Sequence, residues 1–592
     1  MPLPEIVLVI ASLLAVVSLA DPLAERLHLP SAVILAAIGL VIGTASALLA
    51  NSPGPLMAGW AAVMSELPIN SQVFLFIFLP ALLFQGALTV DARQMAQDGV
   101  PIFIMAVVAV LVATAAIGLA LWPLSGVSLI ACLLLGSVVA TTDPSAVIAI
   151  FRDLGAPQRL TRLVEGESLL NDAVAITLFV VLLGLATTTH EVHWASTVAE
   201  LIFVPVGGAL LGFAAARLVC TMVALGGENR LVQVSLTLAL PYIVFVAAER
   251  LHLSGPVAVV AAGLVLSGYG PARISPSVWR HLNDVWEQLA FWASSLVFIL
   301  AAILMPRLLV EFGRHDLALV VALVVTALAA RAFILFAFMP LLSVLKLSPP
   351  ISMPYRTVML WGGLRGAATL ALALAVTEHA AIGEDTKRFV GVLATSFVLF
   401  TLLGQGTTLR PLMRLLRLDR LSPLDASLRE QALTWSHNEV GQAIEATAQK
   451  YALSSALAAE IAAEYRTRTA AGPGSECAAI REEEQIALGM AAIAGREADF
   501  ILEHLEQRSI SAGLVGVLLA RTRVLLDAAR QHGARGYAEA AAAALAFPRK
   551  MRLANALHKR LGVSRYLERQ LAARFETLLV DGIAIEALAE FA

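Results

Sequence analysis

Two short motifs place acidic side chains inside segments that are otherwise apolar enough to cross a membrane. Residues 140–147 read ATTDPSAV and residues 165–174 read EGESLLNDAV, so Asp143 and Asp172 lie within such segments. A charged side chain at the centre of the hydrocarbon core costs roughly 3 kcal/mol on insertion scales. Carboxylates kept there face protein or water and mark paths for ions or protons. The pattern therefore predicts a site that carries a cation or a proton.

Pro144 follows Asp143 directly and predicts a break in its helix. Proline has no backbone donor and clashes with the carbonyl four residues earlier, so carbonyls over 140–142 lose their partners. Such backbone is tolerated at membrane depth only against protein or a water-filled cavity. The freed carbonyls, the Thr141 and Thr142 hydroxyls and the Asp143 carboxylate together form a set of hard oxygen ligands that suits Na⁺, Li⁺ or K⁺. Alone, the pattern equally fits a proline kink capped by Asp143.

Polar residues of the next apolar segment favour a binding site over a simple kink. Ser168 and Asp172 are four residues apart and share one helix face, while Glu167 and Asn171 share the adjoining face. A lone buried aspartate can be a satisfied core group. A stripe of four polar side chains opposite a broken helix is harder to explain in that way. We therefore interpret these residues and Asp143 as parts of one site.

A guanidinium in a distant apolar segment supplies positive charge. Residues 361–372 read WGGLRGAATLAL and place Arg365 among three glycines. A buried guanidinium needs a carboxylate partner, and the glycines predict a second weak point in a helix. The two weak points lie in the fifth and twelfth of the predicted spans, the offset expected of inverted repeats around the seventh. Paired broken helices of this kind indicate a transporter site at the membrane midplane.

The composition divides the chain into a membrane part and a water-soluble part. The 592 residues are 59% hydrophobic and 14% charged, whereas soluble domains average about 25% charged residues. Charged residues number 45 in the first 420 positions and 40 in the last 172. We therefore predict a membrane domain over 1–420 and a cytoplasmic helical domain, regulatory or merely appended, over 421–592. The net charge of −3 argues against a nucleic-acid partner, and three isolated cysteines argue against a zinc site or a disulfide framework.

Apolar segments of about 20 residues predict an all-α polytopic protein with about thirteen spans. The segments are 4–21, 30–50, 71–90, 99–122, 126–150, 164–187, 197–220, 230–249, 254–268, 288–306, 316–342, 355–377 and 387–406. Basic residues concentrate in alternate loops and in the cluster at 409–420, which predicts an outer N-terminus and a cytoplasmic C-terminus. Because arginine far outnumbers lysine, we expect the inner (plasma) membrane of a bacterium.

Three further patterns give expectations about individual helices. Trp279, Leu282, Trp286 and Leu289 recur at helical spacing and predict an amphipathic helix with its tryptophans at headgroup depth, or else a loop leading into the tenth span. A GxxxG in the second span indicates a close helix contact. The Ala- and Leu-rich tail predicts five or six helices, interrupted at 470–476 and 532–533.

At TDP (142–144), GESLLND (166–172) and GGLRGA (362–367) the chain resembles the electroneutral monovalent cation/proton antiporters, a family of bacterial NhaP-type and animal NHE-type sodium/proton exchangers. The resemblance covers about residues 5–420. It implies a homodimer in which a core domain moves against a dimerising scaffold, with crossed broken helices and no cofactor. The family is one of secondary transporters rather than enzymes.

The resemblance also implies roles for single residues. Asp172 would hold either a cation or a proton, and Asn171 would be its neutral neighbour. Asp143, Ser168 and the Thr142 carbonyl would complete a Na⁺ shell with Asp172. Glu167 would form a structural ion pair with Arg365.

Two positions depart from the family pattern and leave the identity of the cation open. Gln85 stands where relatives often carry an acid, and Ser145 stands where they often carry valine. Selective K⁺/H⁺ exchange is therefore an alternative to Na⁺/H⁺ exchange. A transport-inactive membrane sensor that signals through the tail is an alternative of another class, which the complete set of site residues disfavours.

Overall fold

The computed structural model divides the chain into two compact units, Met1–Asp419 and Arg420–Ala592. Besides a few isolated positions, the structure describes residues 3–27, 31–49, 71–90, 98–143, 158–187, 194–225, 229–270, 276–308, 312–345, 351–416, 440–448, 459–465, 512–546 and 564–589.

Helices make up the described part of the first unit. They are α1 (Leu3–Leu27), α2 (Ser31–Leu49), α3 (Ser71–Thr89), α4 (Gly99–Ser125), α5 (Leu129–Ala140), α6 (Gln158–Thr187), α7 (Trp194–Leu225), α8 (Arg230–Arg250), α9 (Gly255–Tyr269), α10 (Pro276–Leu308), α11 (Arg314–Val344), α12 (Met353–Trp361), α13 (Ala367–Glu378) and α14 (Glu384–Leu415).

Eight of the described helices are long and apolar enough to cross a membrane, namely α3, α4, α6, α7, α8, α10, α11 and α14. Five more are apolar but shorter: parts of α1 and α2, together with α5, α9 and α13. The predicted all-helical membrane architecture is confirmed. The count of thirteen spans stays a prediction, because the shorter helices do not by themselves cover a bilayer thickness of about 30 Å.

The segments α4–α6 and α11–α14 share a set of structural features. Asp98, beside the start of α4, pairs with Arg162 in the first turns of α6 (3.5 Å), and Asp316 at the start of α11 pairs with Arg388 in the first turns of α14 (2.8 Å). With the breaks between α5 and α6 and between α12 and α13, these features repeat one arrangement twice.

A close approach of α2 to α10 explains the GxxxG pattern. A Cβ on Gly39 would lie 2.6 Å from the Ala302 Cβ, and a Cβ on Gly43 would lie 2.4 Å from the Ile303 carbonyl oxygen. Neither distance is compatible with a side chain, so only glycine allows the two backbones to pack so closely. This agrees with the predicted helix contact.

The expectation of a separate interfacial helix before the tenth span is wrong. One continuous helix, α10, runs from Pro276 to Leu308. Trp286 is 1% exposed and its ring packs against Phe84 with 4.7 Å between ring centroids. The residues are helical as their spacing predicts, but the apolar face packs on α3, which buries the Trp286 indole within the protein.

The second unit contains two long helices, α15 (Ala512–Leu545) and α16 (Ser564–Ala589). The predicted interruption at 532–533 is wrong, because α15 continues through it. A glycine inside a helix costs about 1 kcal/mol, and the alanine-rich flanks tolerate that cost. The other predicted interruption, at 470–476, lies outside the described residues.

An ion-pair cluster joins the helices of the second unit. The Arg521 guanidinium donates to Asp581 Oδ1 (2.6 Å) and Oδ2 (2.5 Å) and to Glu497 Oε1 (2.7 Å). Burial opposes the charge of the Arg521 guanidinium, but the two carboxylates outweigh burial and raise the pKa of Arg521. Arg521 therefore stays charged and holds α15, α16 and the chain at Glu497 together.

Candidate cation site

Two interrupted helices meet at the centre of the first unit. α5 ends at Ala140, and Thr141 leaves the helical conformation with φ −58° and ψ 141°. The backbone N–H of Asp143 donates to the Leu364 carbonyl (2.8 Å), which lies in the gap between α12 and α13. The two breaks thus cross as a single antiparallel bridge. The two predicted helix breaks, one at Asp143 and the other beside Arg365, therefore lie together. Residues 144–146, including Pro144 and Ser145, lie outside the described residues.

Glycines let the second break approach the first. A Cβ on Gly366 would lie 2.8 Å from the Asp143 Cβ, and one on Gly362 would lie 2.5 Å from a Val147 methyl group. A larger residue at either position would push the crossing apart. The Asp143 carboxylate consequently lies beside Gly366, the N-cap of α13, where the positive end of the helix dipole favours a negative charge.

Side chains of α6 hold the end of α5. The Ser168 hydroxyl donates to the Thr142 carbonyl (2.7 Å). Asn171 Nδ2 donates to the Ala140 carbonyl (3.0 Å) and to the Thr142 hydroxyl oxygen (2.9 Å). These bonds satisfy carbonyls that the end of α5 leaves without intrahelical partners. Asn171 therefore acts here as a brace, a role that an aspartate could not fill because a carboxylate does not donate.

Asp172 has one carboxylate oxygen that no described residue engages. Its Oδ1 is buried and has no hydrogen-bond partner there, and the same holds for Asn171 Oδ1. The Thr142 backbone N–H and the charges of Asp143 and Arg365 act on the Asp172 carboxylate. Buried oxygens without hydrogen-bond partners are costly. The partner-free oxygens of Asp172 and Asn171 lie near the Asp143 carboxylate, so this arrangement fits a site that binds a positive charge.

Glu167 pairs with Arg331, not with Arg365 as predicted. Arg331 Nη1 lies 2.7 Å from Glu167 Oε1, and the two side chains are 18% and 5% exposed. Arg331 Nε also donates to the Met359 carbonyl in the last turn of α12 (2.9 Å). Arg331 therefore neutralises Glu167 and caps α12 at the same time. Glu167 is in an ion pair as predicted, but the prediction that Arg365 is its partner is wrong, since the partner is Arg331.

Arg365 occupies a separate position against the last membrane helix. Its guanidinium lies 5.4 Å from the Phe397 ring centroid, and its backbone N–H donates to the Thr401 hydroxyl (3.3 Å). Arg365 is 6% exposed, and its Nε and Nη1 have no hydrogen-bond partner among the described residues. The guanidinium remains close enough to Asp172 and Glu167 to act on both as a charge.

A cavity of about 530 Å³ reaches the crossing. Its wall includes Asp143, Asp172 and Ser168, and it also includes Gln85, the predicted departure in the third span. Further acidic side chains line it, and none of its described lining residues is Lys, Arg or His. The site therefore communicates with a cavity whose charge favours cations over anions.

Two residues of the site were missed from the sequence. Arg331 could have been found by the argument that singled out Arg365, since it too is a charge inside an apolar segment. The other is Thr369, whose hydroxyl lies 2.6 Å from that of Thr141 and links α13 to the end of α5. An isolated threonine in an apolar helix carries no sequence signal of that kind.

Comparisons with known proteins agree with this arrangement. The family model described as "Sodium/hydrogen exchanger, transmembrane" matches residues 10–415. The Na⁺/H⁺ antiporter ApNhaP of Aphanothece halophytica is 35% identical over 357 residues, 59% of this chain and 66% of that one. NhaP of Pseudomonas aeruginosa, also described as a Na⁺/H⁺ antiporter, is 34% identical over 367 residues, 60% of this chain and 84% of that one.

The solved structure of the sodium proton antiporter MjNhaP1 from Methanocaldococcus jannaschii has the same fold. Its TM-score is 0.56 at 17% identity, and the match covers 70% of this chain and all of that chain. The aligned part spans 66% of ApNhaP and 64% of NhaS1 of Synechocystis, slightly under two thirds of either relative. All the candidate site residues lie within the matched region 10–415.

Proposed function

The chain belongs to the sodium/hydrogen exchanger family, whose members are secondary transporters rather than enzymes, and we propose that it exchanges a monovalent cation, preferably Na⁺, for a proton. One observation carries the proposal. Asp172, which has one buried carboxylate oxygen without a partner among the described residues, and Asp143 both line the cavity at the crossing of two broken helices. Hard oxygen ligands of this kind suit Na⁺ or another alkali cation.

The cation as substrate would contact Asp172, Asp143 and the Ser168 hydroxyl oxygen. The Thr142 carbonyl already accepts a hydrogen bond from Ser168, so it offers its second lone pair. Asn171 keeps the broken end of α5 in place and offers its partner-free Oδ1. The backbone and hydroxyl oxygens are thus fixed before the cation arrives, which lowers the cost of ordering them.

Competition for Asp172 would couple the two fluxes. Two neighbouring carboxylates repel each other, so the site favours holding one positive charge, either a proton or a cation. Both loaded states then carry the same net charge. Moving one net charge through the membrane costs about 2.3 kcal/mol per 100 mV, and equal loading removes this term. Exchange would be electroneutral, one cation for one proton, by alternating access.

Everted membrane vesicles containing a pH-sensitive dye test the proposal. An imposed proton gradient should dissipate when Na⁺ is added, and a membrane potential should not change the rate. Asp172→Asn should abolish the response while leaving the amount of folded protein unchanged. A chain that ignores Na⁺, Li⁺ and K⁺ alike would be a non-transporting sensor, and the proposal would fail.

The same vesicles distinguish K⁺/H⁺ exchange from Na⁺/H⁺ exchange. If K⁺ dissipates the gradient better than Na⁺ does, K⁺/H⁺ exchange replaces Na⁺/H⁺ exchange as the proposed function.

Gln85 lines the cavity and is neutral, so the negative charge that attracts a cation comes from the acidic residues elsewhere on the cavity wall. Gln85→Glu should therefore lower the half-saturating cation concentration.

Assembly, location and the role of the tail complete the proposal. We place the protein in the inner (plasma) membrane of a bacterium as a homodimer, its N-terminus outside and its C-terminus in the cytoplasm. The second unit, held together around Arg521, would regulate exchange. Deleting 425–592 should shift the pH profile of exchange. An unchanged profile would make the tail a mere appendage.

A further inference from the structure

The cavity separates two groups of helices. We assign its lining to two walls, one formed by residues of α2, α3 and α10 and the other by residues of α6, α13 and the break after α5. Thr89 at the end of α3 and Glu287 near the start of α10 line one end of the cavity and are exposed. Both lie at the helix ends predicted to be cytoplasmic. The cavity is therefore accessible from that end.

At the opposite ends of α3 and α13 the two groups are joined by a polar contact. Ser71, the first residue of α3, donates from its backbone N–H and from its hydroxyl to Glu378 Oε2, each at 2.8 Å. Glu378 is the last residue of α13. The N–H of a first helical residue has no intrahelical acceptor, and a carboxylate is favourable at a helix N-terminus. The contact thus ties one wall to the other.

A buried apolar cluster, here called the seal, begins on α3 at Phe74, one helical turn after Ser71. Phe74 of α3, Phe298 of α10 and Leu370 of α13 belong to one buried cluster that includes residues of both walls. Apolar contacts are non-directional and can be exchanged for others as surfaces slide. Hydrogen bonds to a carboxylate depend on distance and angle, so a displacement of one wall against the other breaks them.

We propose that Ser71 and Glu378 form a latch that holds the outer end of the cavity closed and opens once in each transport cycle. The inference rests on the proposed function, since it assumes that the site faces the two sides in turn. A hydrogen bond to a charged group is strong enough that its loss should shift the equilibrium towards the outward-open state by about tenfold. Exposure of the seal to the outer solution should rise by the same factor.

Thiol labelling measures this exposure without requiring transport. Leu75→Cys, next to the seal and on the cavity wall, is introduced after the three native cysteines are replaced. A membrane-impermeant methanethiosulfonate is then added to the outer side of the full-length protein in sealed vesicles. Glu378→Ala should raise the labelling rate about tenfold. Glu384→Ala is the matched control, because Glu384 is 88% exposed and pairs only within its own helix with Lys387 (2.7 Å).

A second measurement guards against a folding defect. Ser71→Cys and Glu378→Cys are combined and bridged with a short bifunctional thiol reagent. Exchange should stop when the bridge forms and resume on reduction, while the reagent should not change the exchange rate of either single-cysteine variant. Equal labelling of the Glu378→Ala and Glu384→Ala proteins, or exchange that continues through a formed bridge, would overturn the latch. Failure of the proposed function would look different, because the wild-type protein itself would not exchange.

Discussion

The pairing of Glu167 with Arg331 gives a prediction about stability that separates two arginines. Arg331→Gln removes the guanidinium that lies 2.7 Å from Glu167 Oε1, and it also uncaps the last turn of α12. Glu167 is 5% exposed and would remain as a buried, uncompensated charge. Breaking a buried pair on one side costs about 3–5 kcal/mol. We expect a loss of that size in the free energy of unfolding.

A double-mutant cycle isolates the contribution of the pair. Glu167→Gln in the Arg331→Gln background should cost much less than in the wild type, giving a coupling energy of about 1–3 kcal/mol. The parallel cycle with Arg365→Gln should be clearly smaller, because no contact joins Arg365 to Glu167. Unfolding in mixed micelles, titrated with a denaturing detergent, supplies the four free energies for each cycle. A larger coupling to Arg365 than to Arg331 would refute this reasoning.

Three further predictions concern the crossing, the brace and the tail. Gly366→Val should destabilise the protein by about 1–3 kcal/mol and impair exchange, because the valine Cβ would collide with Asp143. A thermal melt measures the loss, and Gly383→Val is the control because a Cβ there would meet no atom within 4 Å. Asn171→Asp should lose exchange in vesicles because a carboxylate cannot donate to the carbonyl that ends α5; retained exchange would remove the brace from the account. Arg521→Ala should cost the tail about 3 kcal/mol and speed its cleavage by limited proteolysis; an unchanged rate would contradict the ion-pair cluster.

The two breaks could be predicted from the sequence because each has a local chemical cause, whereas their crossing was implied only by the family resemblance. Pro144 denies its helix a donor, and the glycines around Arg365 weaken another helix. The stripe of Ser168, Asn171 and Asp172 follows from helical periodicity alone. The fold class follows for the same reason, since long apolar segments in lipid must satisfy their backbone internally as helices.

Partner identity could not be predicted in the same way. Arg331 and Arg365 both lie in apolar segments, and only the three-dimensional packing of α11 brings Arg331, rather than Arg365, to Glu167 of α6. Trp286 shows the same limit, because helical spacing defines a face but not whether that face meets headgroups or protein. Trp286 is buried because Phe84 of α3 packs against it, and Phe84 is about two hundred positions away in the sequence.

The central claim is that a cation and a proton compete for Asp172. The most direct measurement is the half-saturating Na⁺ concentration of exchange in proteoliposomes at several pH values, with the membrane potential clamped. We expect this concentration to rise as the pH falls while the rate at saturating Na⁺ stays constant, and we expect Asp172→Asn to show no exchange at any pH. A half-saturating concentration independent of pH, or exchange that survives in Asp172→Asn, would contradict it.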